Sequence, residues 1–222
     1  MSTILITGAN RGIGLAMTRQ FVERGENVIA VCREASEELL ATGARVEGGV
    51  DVTDGDSLSA LAARLDGVLI DVLINNAGVL RRDAFESLED QLDDIRVQFE
   101  VNSLAPLRFT RALVGRLAEG SKVAIVTSRM GSIADNDSGG YYGYRMSKAA
   151  VNMAGVSLAH ELREQGIAVA LLHPGYVRTD MTGHTGHIDA DESAAGLIAR
   201  IDELSLATTG SFRHANGEAL DW

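Results

Sequence analysis

The sequence predicts an α/β fold, a doubly wound parallel sheet of about seven strands with helices on both faces. Short β-branched runs alternate with longer helix-like segments along the chain. Several of these runs are continuously apolar, as expected of parallel strands that helices cover on both faces. No proline-rich linker or internal repeat divides the 222 residues, so a single domain over 1–222 is predicted.

The predicted elements alternate in order along the chain. The strands are predicted at 3–7, 27–32, 45–50, 72–75, 122–127, 168–173 and 210–213. The helices are predicted at 13–24, 57–65, 88–101, 104–118, 143–164 and 190–203. Asp54 and Asp191 are predicted helix N-caps, and Gly25 and Gly166 follow predicted helix ends. The second and third strands are close in sequence, so any helix between them is short.

Composition restricts the partners and the compartment. The 31 acidic and 20 basic residues leave a formal net charge of −11, which disfavours nonspecific binding to nucleic acid or to an anionic membrane surface. No run approaches the roughly 20 apolar residues of a membrane helix, and the N-terminal residues lack the regions of a signal peptide. Cys32 is the only cysteine. It cannot form an internal disulfide, so a cytoplasmic location is expected.

A glycine-rich turn follows the first predicted strand. It reads Thr7-Gly8-Ala9-Asn10-Arg11-Gly12-Ile13-Gly14 and opens a helix. Glycine lets a pyrophosphate approach the main chain, and a helix N-terminus offers free N–H groups and a positive dipole end. A tight turn without a ligand is the alternative. The strand–turn–helix context favours a dinucleotide site, although the spacing is Gly-x3-Gly-x-Gly and not the usual Gly-x-Gly-x2-Gly.

Tyr144 and Lys148 lie four residues apart on the predicted helix 143–164 and therefore share one face. A nearby ammonium favours the phenolate, so the pKa of the tyrosine is expected to fall below its usual value of about 10. The pair would then act as an acid or base near neutrality. The alternative is a partly buried tyrosine beside a solvated lysine. Tyr141 and Tyr142 have no lysine four residues on.

Ordered motifs from Thr7 to Thr179 resemble those of the short-chain dehydrogenases/reductases, a family with a Rossmann-type domain. Thr-Gly-x3-Gly-Ile-Gly is similar to the family's cofactor motif. The later matches are Asp51-Val52, Asn75-Asn76-Ala77-Gly78, Asn102, Thr127-Ser128, Tyr144-x3-Lys148 and Pro174-Gly175-Tyr176-Val177-Arg178-Thr179. Residues 128–132, residues 144–149 and the short tail ending at Trp222 are most similar to the small branch of C-factor-like proteins and sniffer-like carbonyl reductases.

The resemblance implies an oxidoreductase that interconverts carbonyl and alcohol by hydride transfer. Reduction places negative charge on the carbonyl oxygen, so donors should face that atom. Tyr144 would donate the proton and Ser128 would hydrogen-bond the same oxygen. Lys148 would hold the ribose hydroxyls, and Asn102 would help carry a water chain. A surface serine and a helix-breaking asparagine are the alternatives. For Ser128 to reach Tyr144, the turn-forming run 135–140 should loop out.

The resemblance also implies a set of cofactor-binding residues at the strand ends. They are Gly8, Asn10, Arg11, Gly12, Ile13, Gly14, Arg33, Asp51, Val52, Asn75, Ala77, Gly78, Tyr144, Lys148, Pro174, Gly175, Val177 and Thr179. A carboxylate after the second strand would favour NAD(H), but Cys32 and Arg33 stand there. Arg33 and Arg11 suit a 2′-phosphate, which predicts a preference for NADP(H) over NAD(H). Alternatively, Arg33 pairs with Glu34 or Glu37.

The substrate side is less defined by the sequence. A glycine-rich stretch at 180–190 is a candidate mobile loop over the cleft. Its short length predicts an open cleft that accepts various small aldehydes and ketones. His184 and His187 lack further ligands, so no metal site is predicted. The resemblance implies a homodimer or homotetramer through the helices near 88–118 and 143–164. A C-factor-like regulatory protein that binds NAD(P) with little turnover is the alternative function.

Overall fold

The computed structural model describes all 222 residues and contains one seven-stranded sheet. The strands are β1 (Thr3–Thr7), β2 (Asn27–Val31), β3 (Arg45–Glu47), β4 (Ile70–Asn75), β5 (Leu117–Val126), β6 (Ala168–His173) and β7 (Ser211–His214). All neighbours are parallel, in the order β3-β2-β1-β4-β5-β6-β7. The order reverses direction between β1 and β4. The predicted doubly wound fold with about seven strands is confirmed.

Helices cover both faces of this sheet. They are α1 (Gly12–Glu23), α2 (Glu37–Leu40), α3 (Gly55–Arg64), α4 (Leu92–Phe99), α5 (Ala105–Leu113), α6 (Tyr142–Arg163) and α7 (Ala190–Glu203). Alternate residues of β1 enter different cores, since successive strand side chains point to opposite faces. Ile4 and Ile6 belong to the core beneath α1 and α7, whereas Leu5 belongs to the core beneath α3, α5 and α6. No helix has the length and apolar character needed to span a membrane.

Several predicted segments differ from the structure, and β3 ends at Glu47, three residues before its predicted end. β5 begins at Leu117, five residues before its predicted start, and a register shift separates the start of its pairing with β4 from the rest. The predicted helices 88–101 and 104–118 are not two separate helices in the structure. A 3₁₀ segment leads into α4, and a π-helical turn at Glu100–Leu104 joins α4 to α5 without a break. The wider π turn accommodates the residues that the sequence pattern suggests as a helix break.

The predicted helix ends are partly correct. Asp54 caps α3, because its carboxylate accepts two backbone N–H groups of the first turn. The predicted cap Asp191 is wrong. Asp189 caps α7 instead, and Asp191 lies in the first turn, where a negative charge also favours the helix dipole. Gly25 and Gly166 follow helix ends with φ of +78° and +74°, as predicted.

Candidate active site

Tyr144 and Lys148 lie one turn apart near the start of α6. They are 7% and 5% exposed, respectively. The Lys148 Nζ atom donates a hydrogen bond of 3.0 Å to the Val126 carbonyl at the end of β5 and lies 5.7 Å from the centroid of the Tyr144 ring. The lysine is therefore buried and anchored to the sheet. The alternative of a solvated lysine does not hold.

Burial moves the pKa values of these two residues in opposite directions. Loss of water raises the pKa of Tyr144 to about 12, and a side-chain hydrogen bond with Ser128 opposes that rise. Burial lowers the pKa of Lys148 to about 8. The predicted fall in the tyrosine pKa is wrong for the protein alone, because desolvation of the phenolate is the largest effect on it. At neutral pH the phenol is thus protonated, which is the form of a proton donor.

Ser128 follows β5 and lies sixteen positions before Tyr144, and its side chain acts on the Tyr144 pKa. Its Oγ atom accepts a hydrogen bond of 3.1 Å from the Met130 N–H, which fixes the 3₁₀ turn that follows. The intervening residues 135–139 form an exposed loop, as expected from their composition. Arg145 holds this loop, because its guanidinium donates to the Gly140 carbonyl and the Ser138 hydroxyl at 3.1 and 2.9 Å.

Asn102 lies in the π-helical turn and is 1% exposed. Its Oδ1 atom accepts a hydrogen bond of 2.9 Å from the Val79 N–H, and its Nδ2 atom donates to the Val79 carbonyl at 2.9 Å. The same Nδ2 atom donates to the Ser147 Oγ atom at 3.0 Å, and Ser147 in turn donates to the Tyr144 carbonyl at 2.8 Å. Asn102 therefore joins the loop after β4 to α6.

Ser147 belongs to this site but is not among the residues predicted from the sequence. Its position three residues after Tyr144 places it on the same helical face, and this signal was present in the sequence.

The turn after β1 is packed tightly against the loop after β4. A methyl group at Gly14 would lie 2.2 Å from the Gly8 carbonyl oxygen, and one at Gly8, where φ is +65°, would lie 2.9 Å from the Ala77 Cα atom. The Asn76 amide donates to the Thr7 and Gly8 carbonyls at 2.9 and 3.2 Å. The packing of the two loops thus requires glycine at both positions.

The predicted contact of Asn75 with the cofactor needs correction. Its Nδ2 atom donates a hydrogen bond of 3.1 Å to the Thr110 Oγ1 atom on α5, and the residue is buried. Adjacent residues at a strand end point in opposite directions, so the side chain that reaches the glycine turn is that of Asn76. The motif Asn75-Asn76-Ala77-Gly78 contains Asn76, but the cofactor contact was predicted for Asn75.

The two predicted phosphate-binding arginines have different environments. Arg33 forms no salt bridge, so the predicted alternative pairing with Glu34 or Glu37 is absent. Hydrogen bonds from Thr53 lower the pKa of Asp51, and the charge of Arg33 lowers it further. Arg33 thus lies near the end of β3.

The Arg11 side chain reaches the loop that follows β6. Its Nη1 atom lies 3.2 Å from the Asp180 Oδ2 atom. Arg33 is therefore the unpaired cation of the two. Ser36, which the sequence analysis missed, donates from Oγ to the Asn10 carbonyl at 2.7 Å and connects the loop after β2 to the glycine turn.

The segment after β6 folds back upon itself. Buried Val177 pairs with Ile188, and Thr179 caps a 3₁₀ turn over Asp180–Thr182. A methyl group at Gly12 would lie 3.4 Å from the Thr179 Cγ2 atom, so Thr179 lies over the glycine turn. The predicted loop at 180–190 is held by several internal hydrogen bonds.

These residues fit a dinucleotide. The glycine turn lies at the N-terminus of α1, and Arg33 is available for a phosphate. A methyl group at Gly78 would lie 3.4 Å from the Asn102 Oδ1 atom and 3.8 Å from the Lys148 Nζ atom, so the backbone after β4 passes beside both side chains. No three potential metal ligands converge, and the His184 imidazole lies 3.1 Å from the Asp180 carboxylate.

Known proteins are similar to this chain in sequence and in fold. A family model described as short chain dehydrogenase matches residues 2–189. A 1-hydroxy-2-glutathionyl-2-methyl-3-butene dehydrogenase from Rhodococcus sp. (strain AD45) is 49% identical over 100% of both chains. The C-signal protein of Myxococcus xanthus is 45% identical over 69% of this chain and 93% of its own. The NADPH-bound carbonyl reductase from chicken fatty liver superposes with a TM-score of 0.90 at 30% identity, covering 100% of this chain and 99% of its own.

Proposed function

Because this chain belongs to the short chain dehydrogenase family, we propose that it interconverts carbonyl and alcohol with NADP(H), using Tyr144 as the proton donor and acceptor. The family makes it an oxidoreductase. The observation that carries the assignment of Tyr144 is its burial near the start of α6, with Lys148 one turn away and the Lys148 Nζ atom 5.7 Å from the centroid of the Tyr144 ring. A protein that only binds a nucleotide does not need a proton donor at this position.

When bound, the nicotinamide cofactor supplies or accepts the hydride. As negative charge develops on the carbonyl oxygen, the Tyr144 phenol transfers its proton to that atom and the Ser128 hydroxyl donates a hydrogen bond to it. In the reverse direction, the phenolate form of Tyr144 accepts the alcohol proton and returns to the phenol. The pKa of about 12 keeps the phenol protonated until the reaction requires the transfer.

Lys148 and Asn102 support this transfer. The Lys148 ammonium has three N–H donors, of which one is used by the Val126 carbonyl. The remaining donors would hold ribose hydroxyls, and the positive charge would stabilise the phenolate that forms. The Asn102 Oδ1 atom, which accepts from the Val79 N–H, has a second lone pair for the water chain that returns a proton from solvent.

The residues at the carboxyl edge of the sheet would hold the cofactor. The turn at Gly8–Gly14 would receive the pyrophosphate, and Asp51 with Val52 would border the adenine. Residues 174–179 would border the nicotinamide. The absence of a carboxylate beside Cys32 and the unpaired charge of Arg33 support NADP(H) over NAD(H), and the superposed chicken carbonyl reductase holds NADPH.

A comparison of two tyrosines on α6 tests this function. NADPH oxidation is followed at 340 nm with aldehydes, ketones and quinones, and NADP reduction is followed with alcohols. Tyr144→Phe should lower kcat by about 100-fold or more, since general acid catalysis contributes about 10²–10⁴-fold. Tyr142→Phe removes a phenol from the same helix at a partly exposed position and serves as the matched control. Full activity of Tyr144→Phe would refute the assigned role.

The panel should include a glutathione-conjugated alcohol. The Rhodococcus relative that aligns over the full length of both chains is named as a dehydrogenase of such a compound. We propose glutathione conjugates as substrates in addition to simple carbonyls, since the short loop at 180–190 would leave the cleft open. Activity on one compact carbonyl alone would contradict broad acceptance.

A second candidate is a signalling protein in which the dinucleotide is a structural ligand. The similarity to the C-signal protein supports it. Tight NADPH binding without turnover of any compound in the panel, together with an unchanged biological effect of Tyr144→Phe, would favour this candidate over the reductase.

A homo-oligomer through α6 and the helices that pack beside it is also part of the proposal. On the outer side of α6, Met146 and Met153 are exposed seven residues apart, which places both on one face. Alanines at 149 and 150 lie between them and allow a close approach of a second helix. Light scattering of the purified protein measures the mass.

The proposed location is the cytoplasm. Cys32 is buried as a free thiol, and burial raises its pKa above the ordinary value. Such a thiol is poorly ionised and unreactive at neutral pH, which agrees with a reducing compartment. Fractionation of expressing cells tests this location.

A further inference from the structure

The first turn of α6 is held by a side chain from a distant part of the sequence. The Asp83 carboxylate accepts hydrogen bonds from the Tyr142 N–H at 2.5 Å and the Gly143 N–H at 2.9 Å. Asp83 is 8% exposed and lies in the segment between β4 and α4. The residue that precedes the helix, Tyr141, provides no side-chain cap. A carboxylate at this point also favours the positive end of the helix dipole.

The chain that enters α6 does not fix the helix by itself. Gly139, Gly140 and Tyr141 have φ of +63°, +65° and +49°, and a left-handed conformation costs a non-glycine residue about 1–2 kcal/mol. The first N–H groups of a helix have no partner within it. Asp83 satisfies two of them and thereby offsets the unfavourable conformation at the entry of the helix.

Asp83 and α4 also contact the α6 backbone directly. A methyl group at Gly143 would lie 2.6 Å from the Gln98 Nε2 atom, 2.9 Å from the Ile95 Cγ1 atom and 3.0 Å from the Asp83 Oδ2 atom. The Gln98 Oε1 atom accepts the Arg81 N–H at 3.0 Å, which holds the segment carrying Asp83. The residue immediately before Tyr144 is therefore enclosed on the side of α4.

We propose that Asp83 is a positioning residue for the reaction, whose carboxylate fixes the first turn of α6 and with it the Tyr144 phenol relative to Ser128. The inference rests on the role of Tyr144 proposed above. Asp83 bonds the two residues before Tyr144, and Lys148 follows one turn later, so movement of this turn displaces both. A displacement of about 1 Å in a catalytic group costs on the order of 100-fold in rate.

The experiment compares two aspartates that cap helices. Asp83→Ala removes both bonds to α6, Asp83→Asn retains one acceptor oxygen, and Asp54→Ala removes an equivalent cap from α3, which carries none of the proposed site residues. Steady-state kinetics, NADPH affinity by fluorescence and thermal unfolding are measured for each. We expect Asp83→Ala to lower kcat at least about tenfold, with Asp83→Asn intermediate. NADPH affinity should fall by a smaller factor than kcat, since the glycine turn remains intact and only the Lys148 contact with the ribose is disturbed.

The expected control result is a lower unfolding temperature for Asp54→Ala with unchanged kcat. Equal kcat values for Asp83→Ala and Asp54→Ala, both measured well below their unfolding temperatures, would overturn the inference. Amide hydrogen exchange of the wild-type protein tests it without a variant: the Tyr142 and Gly143 amides should be protected, and free exchange of both would refute the inference even if the variants do not fold. Activity retained by Tyr144→Phe would instead refute the proposed function.

Discussion

The buried ammonium of Lys148 predicts how stability depends on pH. Burial lowers the pKa of Lys148 from 10.5 to about 8, so the folded protein binds this proton less tightly than the unfolded chain does. Between pH 8 and 10.5 the unfolded chain therefore carries more protons at this site, and the free energy of unfolding rises with pH. Below pH 8 the full cost of burying the charge is present.

The magnitude follows from the two pKa values. Each tenfold change in proton affinity is worth about 1.4 kcal/mol, so the lowering to about 8 corresponds to a burial cost of about 3 kcal/mol at neutral pH. About 1 kcal/mol of this cost is relieved between pH 7 and pH 9. Lys148→Met keeps a side chain of similar length and cannot be protonated, so the variant should lack this part of the pH dependence.

The contribution of Lys148 to the pH dependence of stability is measured by urea unfolding of the wild-type protein and of Lys148→Met, without added cofactor, at pH 7, 8 and 9. All other titrating groups are shared, so they largely cancel in the difference between the two proteins. Whatever its sign at pH 7, the difference should move in favour of the wild type by about 1 kcal/mol at pH 9. If the difference in unfolding free energy between the two proteins stayed constant from pH 7 to pH 9, Lys148 would not be desolvated and the predicted pH dependence would be refuted.

Two further substitutions test the cofactor turn and the nucleotide preference. Gly14→Ala places a methyl group 2.2 Å from the Gly8 carbonyl oxygen. We expect it to destabilise the fold by about 1–3 kcal/mol, measured by unfolding, and to weaken NADPH binding, measured by fluorescence titration. Gly55→Ala, whose methyl group would meet nothing within 4 Å, should change neither stability nor NADPH binding and is the control. Arg33→Asp should reduce the NADPH to NADH ratio of kcat/KM by about tenfold or more, as expected for the loss of one charged hydrogen bond. Arg19→Asp, with the same charge change on the exposed side of α1, is its control, and an unchanged ratio in Arg33→Asp would remove Arg33 from the phosphate site.

The sequence predicted the features that depend on local patterns. Short runs rich in β-branched residues identified the seven strands, and several of these runs are continuously apolar because parallel strands are buried on both faces. The glycine turn and the Tyr144–Lys148 pair were found because each lies within a few neighbouring residues. The strand ends were less accurate: β5 extends to Leu117 through pairing with Ile70, a contact across the sheet that no local pattern contains.

The remaining features depend on contacts between distant residues. Asp83 bonds residues 59 and 60 positions later, and no local pattern identifies it. The direction of the Tyr144 pKa shift was predicted incorrectly because the sequence shows the neighbouring charge of Lys148 but not the loss of water around both groups. The choice between Asn75 and Asn76 required the orientation of the end of β4.

The π-helical turn at Glu100–Leu104 restricts the length of the chain as well as its residue types. A π-helical turn holds about one residue more than an α-helical turn, so removal of one residue from it would leave a regular α-helix in which α4 and α5 keep their relative orientation. Phe109 and Leu113 would then stay in the core beneath the sheet, but the position of Asn102 would rotate and its hydrogen bonds to Val79 and Ser147 would be lost. The additional residue therefore serves the contacts of Asn102 and not the packing of α5. Homologous chains that retain Asn102 should therefore show no single-residue gap between α4 and α5.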